Sequence, residues 1–308
     1  MRRIFAIGEM VLDIIFKGGK PVSATPGGSM LNTAVSLGRL GLEAYFISEF
    51  GKDKVGDIAD AFLTENGINT RYTYRYPGSP SSLALAFLNE HNNADYQFYK
   101  QYPEKRLDIT FPEPTEGDVI LFGSFYGIDP NIHLRLKPFL QQAKEKNALI
   151  IYDPNFRTTH LPQLEAYRPV ILENFGIADI VKGSDEDFGY IFNTGNVEDT
   201  WEKIKGSSDA LIYTANKNDV KYHSSEVHET YEVPAIHPIS TIGAGDSFNA
   251  GLIYGLISQG ITKNNLKTMD HGQRSDIIRN AIRFAGHVCM SYDNYISQAF
   301  ADEIKSQA

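Results

Sequence analysis

Cysteine and tryptophan are almost absent: Cys289 and Trp201 are the only ones in 308 residues. One thiol excludes an intramolecular disulfide and a zinc site built on cysteines. Long apolar runs are also missing, and nothing reaches the ~20 residues that a membrane-spanning helix needs. The opening Met1-Arg2-Arg3-Ile4-Phe5-Ala6-Ile7-Gly8-Glu9 has two basic residues but only a short apolar run. Glu9 and Asp13 follow at once, so it does not read as a signal peptide, and the cytoplasm is the expected location. Basic charge is in deficit, with 29 Lys and Arg against 38 Asp and Glu and a net charge of −9. That argues against a nucleic-acid partner. It leaves a nucleotide open, because local amides and a metal can offset the charge. The eight histidines form no pair at convincing metal spacing, and no repeat or low-complexity tract is found.

What the chain does have is a glycine-rich turn near its C-terminal end, Ser240-Thr241-Ile242-Gly243-Ala244-Gly245-Asp246-Ser247-Phe248-Asn249-Ala250-Gly251-Leu252. Gly243 and Gly245 permit a tight turn and close approach of the backbone. The helix predicted after it points free N–H groups at that turn, and with the helix dipole these make an anion site. An aspartate there fits phosphoryl transfer, in which Asp246 takes a proton from a hydroxyl while the amides hold the phosphoryl group. The plain alternative is an Asp capping an ordinary helix.

The run Gly243 to Gly251 resembles the C-terminal Asp-Thr-x-Gly-Ala-Gly-Asp signature of the ribokinase-like (PfkB) carbohydrate kinases, with Ser240 in place of the leading Asp. Pro26-Gly27-Gly28-Ser29-Met30-Leu31-Asn32-Thr33-Ala34 resembles the N-terminal Gly-Gly-x-x-x-Asn signature of the same family. The resemblance extends over nearly the whole chain. It implies an α/β fold, a ribokinase-like three-layer α/β/α arrangement with a mostly parallel central sheet and a small β-sheet lid. One kinase domain would span 1–308, with the lid formed by about 14–26 and 70–108.

The residue pattern agrees with such a rhythm. Ile4–Ile7, 44–50, 119–122, 149–152, 177–181 and 210–214 read as strands. Helices are predicted over about 30–40, 55–66, 130–146 and 275–290, and after the Gly-Ala-Gly-Asp turn. Alternation in 71–76, 82–89 and 95–100, broken by turn clusters at 77–80 and 89–93, predicts antiparallel hairpins. A last hairpin is expected within 226–238, a polar exposed connection over 263–274, and close helix packing at Gly251 and Gly255.

By resemblance, Asp246 is the catalytic base and the amides of Gly243, Ala244 and Gly245 stabilise the transferred group. Asp13, Gly28 and Asn32 bind sugar. Arg157 closes Asp153-Pro154-Asn155-Phe156-Arg157, a polar cluster past a strand end, and could steady substrate or phosphate charge. Lys182 to Asp187 aligns with the family's Asn-x-x-Glu motif, which organises Mg²⁺ through water; Ser184 and Asp187 replace its two residues. Ser184-x-x-Asp187 is equally a helix cap. Lys182, Thr214, Asn216 and Asp219 fall on the nucleotide side, the last two replacing glycines of a Thr-x-Gly-x-x-Gly loop. Tyr96-Gln97-Phe98-Tyr99-Lys100 resembles a lid segment of fructokinase-like members that usually ends in Arg.

The expectation is an ATP- and Mg²⁺-dependent sugar kinase, with fructose first among substrates and a homodimer formed through the lid. Ser240 lacks the charge that relatives place near a monovalent cation, so K⁺ activation is expected to be weak or absent. Alternatives are 2-keto-3-deoxygluconate or ribose as substrate, or a catalytically weak sugar-binding sensor. A nicotinamide-binding oxidoreductase is disfavoured, because the third glycine of the dinucleotide fingerprint is missing.

Overall fold

The computed structural model describes residues 2–90, 94–215 and 218–307. In chain order it begins β1 (Ile4–Ile7), β2 (Val11–Lys17), β3 (Lys20–Gly27), α1 (Ser29–Arg39), β4 (Ala44–Gly51), α2 (Lys54–Glu65) and β5 (Thr73–Tyr76). Next come β6 (Leu83–Leu88), β7 (Ala94–Tyr99), β8 (Val119–Gly123), α3 (Pro130–Glu145), β9 (Leu149–Asp153), α4 (Leu164–Ile177) and β10 (Ile180–Ser184). The rest is α5 (Asp185–Phe192), α6 (Val197–Ile204), β11 (Ala210–Thr214), β12 (Val220–Ser224), β13 (His228–Tyr231), α7 (Ala244–Ser258), α8 (His271–Cys289) and α9 (Gln298–Gln307).

The large sheet has the order β13-β12-β11-β10-β9-β8-β1-β4-β5. From β11 to β5 every neighbouring pair is parallel, and only β12 and β13 run antiparallel. Parallel strands covered on both faces read as unbroken apolar runs. Ile4–Ile7 and Val119–Gly123 are such runs, buried throughout. Alternate residues feed two cores. Ile4 and Ala6 pack with α1, α2, α7, α8 and α9, and Phe5 and Ile7 with α3 to α6. The result is a three-layer α/β/α molecule. Strand order reverses direction at β1, between β8 and β4, and open sheets bind ligands beyond the carboxyl ends at such a point.

The small sheet, β3-β2-β6-β7, stands apart from the large one. Gly18 and Gly19, both at positive φ, turn β2 into β3. The expected alternating strand at 71–76 belongs elsewhere. Thr73–Tyr76 is the edge of the large sheet, parallel to β4, so among the described residues only Leu83–Leu88 and Ala94–Tyr99 of the segment 70–108 enter the small sheet. Residues 91–93 of the expected turn lie outside the described residues. Three further boundaries differ. Ile177 ends α4, and the strand begins at Ile180. The last hairpin is 220–231 rather than 226–238. Within 263–274, Leu266 and Met269 are buried, and Asp270 caps α8 in a reciprocal box with Gln273.

Helices α7 and α8 touch backbone to backbone. A Cβ on Gly251 would lie 2.7 Å from Ala281 Cα, and one on Gly255 2.9 Å from Ile277 Cα. This contact fixes the direction in which the N-terminus of α7 points.

Candidate active site

Two helix N-termini meet beyond the carboxyl end of the large sheet. At the first, Gly28 has φ +138° and a Cβ there would collide with the carbonyl of Glu9. The glycine lets α1 start against the β1–β2 connection, which aims Ser29 and Asn32 at α7. At the second, Gly243 is left-handed (φ +79°), and a Cβ on it would stand 2.6 Å from Asn294 Cα.

Asp246 lies in the first turn of α7. Ser29 Oγ donates to its Oδ1 at 2.6 Å and Asn32 Nδ2 to its Oδ2 at 2.8 Å. Thr33 Oγ1 donates to its backbone carbonyl at 2.9 Å, locking α1 to α7. Burial pushes the carboxyl's pKa up, against the hydrogen bonds from Ser29 and Asn32; Asp153 adds to the rise and Arg157 opposes it. A carboxylate so destabilised is a stronger proton acceptor than a solvated one. The amide of Ala244 closes a turn onto Thr241 O at 3.3 Å. Among the described residues the N–H groups of Gly243, Gly245 and Asp246 have no acceptor in the chain, which makes this helix end a donor site for an anion.

Beneath the turn, Lys182 Nζ donates to Asp153 Oδ2 at 3.0 Å, and Asn249 Nδ2 to the same oxygen at 2.6 Å. All three side chains are buried. The ammonium also faces the anion turn, 3.3 Å from where a Cβ on Gly245 would stand. Positive charge and free amides therefore share one side of the same turn, and a phosphate fits this donor set.

The small sheet supplies the opposite wall. Asp13 sits on β2 with its carboxyl against Gly27, where a Cβ would collide with Oδ2. It has no hydrogen-bond partner among the described residues, and burial pushes its pKa up to about 6. Tyr96 on β7 feels Asp13 and Arg157, placing all three around one space. Arg157 is exposed. Its approach is shaped by Asn155 (φ +38°), whose Nδ2 donates to Oγ of Ser124 (φ +54°) at 3.2 Å. Two non-glycine residues at positive φ side by side are strained backbone, as functional sites often carry.

The structure thus brings Asp13, Gly28, Asn32, Arg157, Lys182, Asp246 and the 243–245 turn together. Thr214 ends β11 with Oγ1 donating to Gly183 O at 3.3 Å, and Asp219 lies across the β11–β12 hairpin; Asn216, between them, lies outside the described residues. Asp187 is engaged in local structure. Its Oδ2 accepts from Ser184 N and Oγ, both at 2.7 Å, while Ser184 Oγ accepts from Asp187 N at 3.1 Å. Its Oδ1 accepts from Phe156 N at 2.6 Å. This is a capping box that also ties α5 to the strand-end cluster. No three His, Cys, Asp or Glu side chains converge on a metal position among the described residues. Mg²⁺ keeps most of its waters and does not depend on such a cluster.

Sequence reasoning did not single out Ser29, Asp153, Asn249 or Glu9. The first three lie inside the quoted motif stretches, so their neighbours were the available signal. Glu9 had none.

The pfkB family carbohydrate kinase model matches residues 1–290. Fructokinase-1 of Zea mays is 28% identical over 271 residues, spanning 82% of this chain and 83% of its own. Fructokinase-1 of Oryza sativa subsp. japonica is 27% identical over 284 residues, 87% of each chain. Among solved structures, fructokinase of Vibrio cholerae O395 with fructose, ADP and calcium ion superposes with a TM-score of 0.84 at 21% identity, covering 98% of both chains. Aminoimidazole riboside kinase of Salmonella enterica, complexed with aminoimidazole riboside and an ATP analogue, gives 0.83 at 18% identity over 99% of both. At that identity the structural likeness shows the ribokinase-type fold. The family match over 1–290 agrees with what Asp246 and its turn can do, and the chain belongs to the pfkB family of carbohydrate kinases, phosphotransferases with an alcohol group as acceptor.

Proposed function

We propose that the protein transfers the γ-phosphate of ATP to a hydroxyl of a sugar, with fructose the first substrate to test. The observation that carries this reading is the Asp246 carboxylate. It is desolvated, aimed by Ser29 and Asn32, and set beside unpaired amides at a helix N-terminus. Asp246 accepts the proton of the attacking hydroxyl. The free amides of Gly243, Gly245 and Asp246, with Lys182 beside them, face the charge that develops on the transferring group. Asp13 and Gly28 hold the sugar against the small sheet, and Arg157 offsets phosphate charge at the rim. Asn32 does two jobs, because the amide that holds Asp246 also has an unpartnered buried Oδ1 for a sugar hydroxyl. ATP supplies the phosphoryl group. Mg²⁺ would accompany it, bound chiefly by nucleotide and water as is usual for this ion, and would supply positive charge to the phosphates. Thr214, Asn216 and Asp219 border the nucleotide.

The outer face of the small sheet stacks Phe16 on Phe87 at 5.0 Å and leaves Phe87 38% and Tyr99 56% exposed. Among the described residues its two edge strands, β3 and β7, are paired on one side only. A second copy covering them gives a homodimer, which removes the edge liability. The site of action is the cytoplasm, where ATP is supplied.

ADP release with ATP and Mg²⁺ across fructose, ribose and 2-keto-3-deoxygluconate tests the reading. Turnover on one of them supports it; no turnover on any sugar, with sugar binding retained in calorimetry, replaces it with a sugar-binding sensor.

A further inference from the structure

The proposed kinase reading leaves the acceptor's charge open, and one ion pair bears on it. Lys100 follows β7 in the same alternation as Tyr96 and Phe98. In register, Asp13, Ala84 and Phe98 form one row across β2, β6 and β7. Lys100 therefore belongs to the Asp13 face, over the site, with its ammonium 5.1 Å from the Phe98 ring. It is not free to meet a substrate anion. Its Nζ donates to Glu9 Oε2 at 2.7 Å, and the Tyr102 hydroxyl donates to Oε1 of the same carboxylate. Glu9 is itself fixed in the floor of the site, since its carbonyl abuts Gly28.

Arg106, the buried cation beside Tyr102, is neutralised too. Arg106 lies over the Tyr102 ring at 3.6 Å and pairs with buried Glu49 and, at 3.4 Å, with Asp129. Among the described residues the one cation at the site without a carboxylate partner is Arg157. Its charge is felt by Asp246 and by Tyr96, which also feels Asp13, so it borders the phosphoryl and acceptor ends alike. Across the site as a whole the chain sets four carboxylates, Glu9, Asp13, Asp153 and Asp246, against three cations, Lys100, Arg157 and Lys182. A sugar carrying a carboxylate or phosphate would enter a site already net negative.

We propose that Glu9 is a specificity-determining residue, which occupies Lys100 and so restricts the acceptor to uncharged sugars. The inference rests on the kinase reading and names the substrate class of that site. Like-charge juxtaposition suppresses the wrong partner, so kcat/KM for fructose should exceed that for 2-keto-3-deoxygluconate by ~100-fold or more. Glu9→Gln frees the Lys100 ammonium while Gln still accepts from Tyr102. It should narrow the ratio by ~10-fold or more, mainly through a lower KM for the acid. Lys100→Gln leaves Glu9 with Tyr102 but no cation, and should widen the ratio. The double variant Glu9→Gln/Lys100→Gln should lose the gain of the single Glu9→Gln change. A purely structural role would move both substrates together. The inference is overturned if the wild-type protein prefers the acid, or if folded Glu9→Gln keeps the wild-type ratio; turnover then still supports a kinase. If no sugar of either kind is phosphorylated, the kinase reading itself fails, and this inference with it.

Discussion

Replacing Asp13 by Asn should stabilise the unliganded protein while removing sugar binding. Burial raises the Asp13 pKa from 3.8 to about 6, and no hydrogen bond among the described residues offsets it. Between those two values the folded chain holds a proton that the unfolded chain has released. Stability therefore falls as pH rises through this window, and the full penalty persists above about 6. A shift of about 2 units at ~1.36 kcal/mol each gives about 3 kcal/mol. Water reaching the half-buried side chain trims this to about 2 kcal/mol. With an unfolding entropy of ~2.1 cal/mol/K per residue over 308 residues, the melting temperature of Asp13→Asn should exceed wild type by about 3 °C at pH 8. The gap should shrink to about a third of that at pH 4.5. Sugar hydroxyls donating to the carboxylate reverse its desolvation, so sugar binding at pH 6 should release a fraction of a proton and at pH 8 almost none. Melting curves across pH and calorimetry in buffers of different ionisation enthalpy read both effects. A melting gap independent of pH, or an Asn variant that binds sugar as well as wild type, would refute the reasoning.

Three further outcomes are expected. Gly251→Ala forces a methyl group onto the Ala281 backbone and should cost about 1–3 kcal/mol in urea unfolding; no loss would mean that α7 and α8 can slide apart. Ser184→Ala removes the cap of α5 and should cost about 1 kcal/mol, with the Mg²⁺ dependence of turnover unchanged; a shifted Mg²⁺ requirement would support a metal role for Asp187. Exchange of Na⁺ for K⁺ should change the rate less than twofold, because Ser240 brings no charge and its Oγ already accepts from Ile242 N at 3.2 Å; a several-fold rise contradicts this.

The parts of the fold legible in the sequence were those whose signal is local. Ile4–Ile7 and Val119–Phe122 announce strands buried on both faces, and Gly251 with Gly255 announces a close helix contact. Alternation at Arg71–Tyr76 shows which residues share a face but not which sheet they join, so Thr73–Tyr76 was expected beside the small sheet rather than β4. Ser184-x-x-Asp187 serves a cap and an acidic ligand set equally well until Phe156 N is seen on the carboxylate. The site was legible where motifs are contiguous, at 27–32 and 243–246. Asp153, Lys182 and Asn249 come from three elements, Asn249 lying 96 positions from Asp153, and only the fold makes them one cluster. Glu9 gains meaning only once the small sheet lays Lys100 over it.

The central claim is that Asp246 is the proton acceptor of the transfer. The Asp246→Asn variant tests it most directly, with kcat measured by ADP release and sugar affinity by calorimetry on the same preparation. The fold should survive, since Asn32 can turn its amide over and offer its unpartnered Oδ1 to the new amide. The account predicts a kcat lower by ~10²–10⁴-fold with sugar affinity within a few-fold of wild type. A kcat near wild type would contradict it.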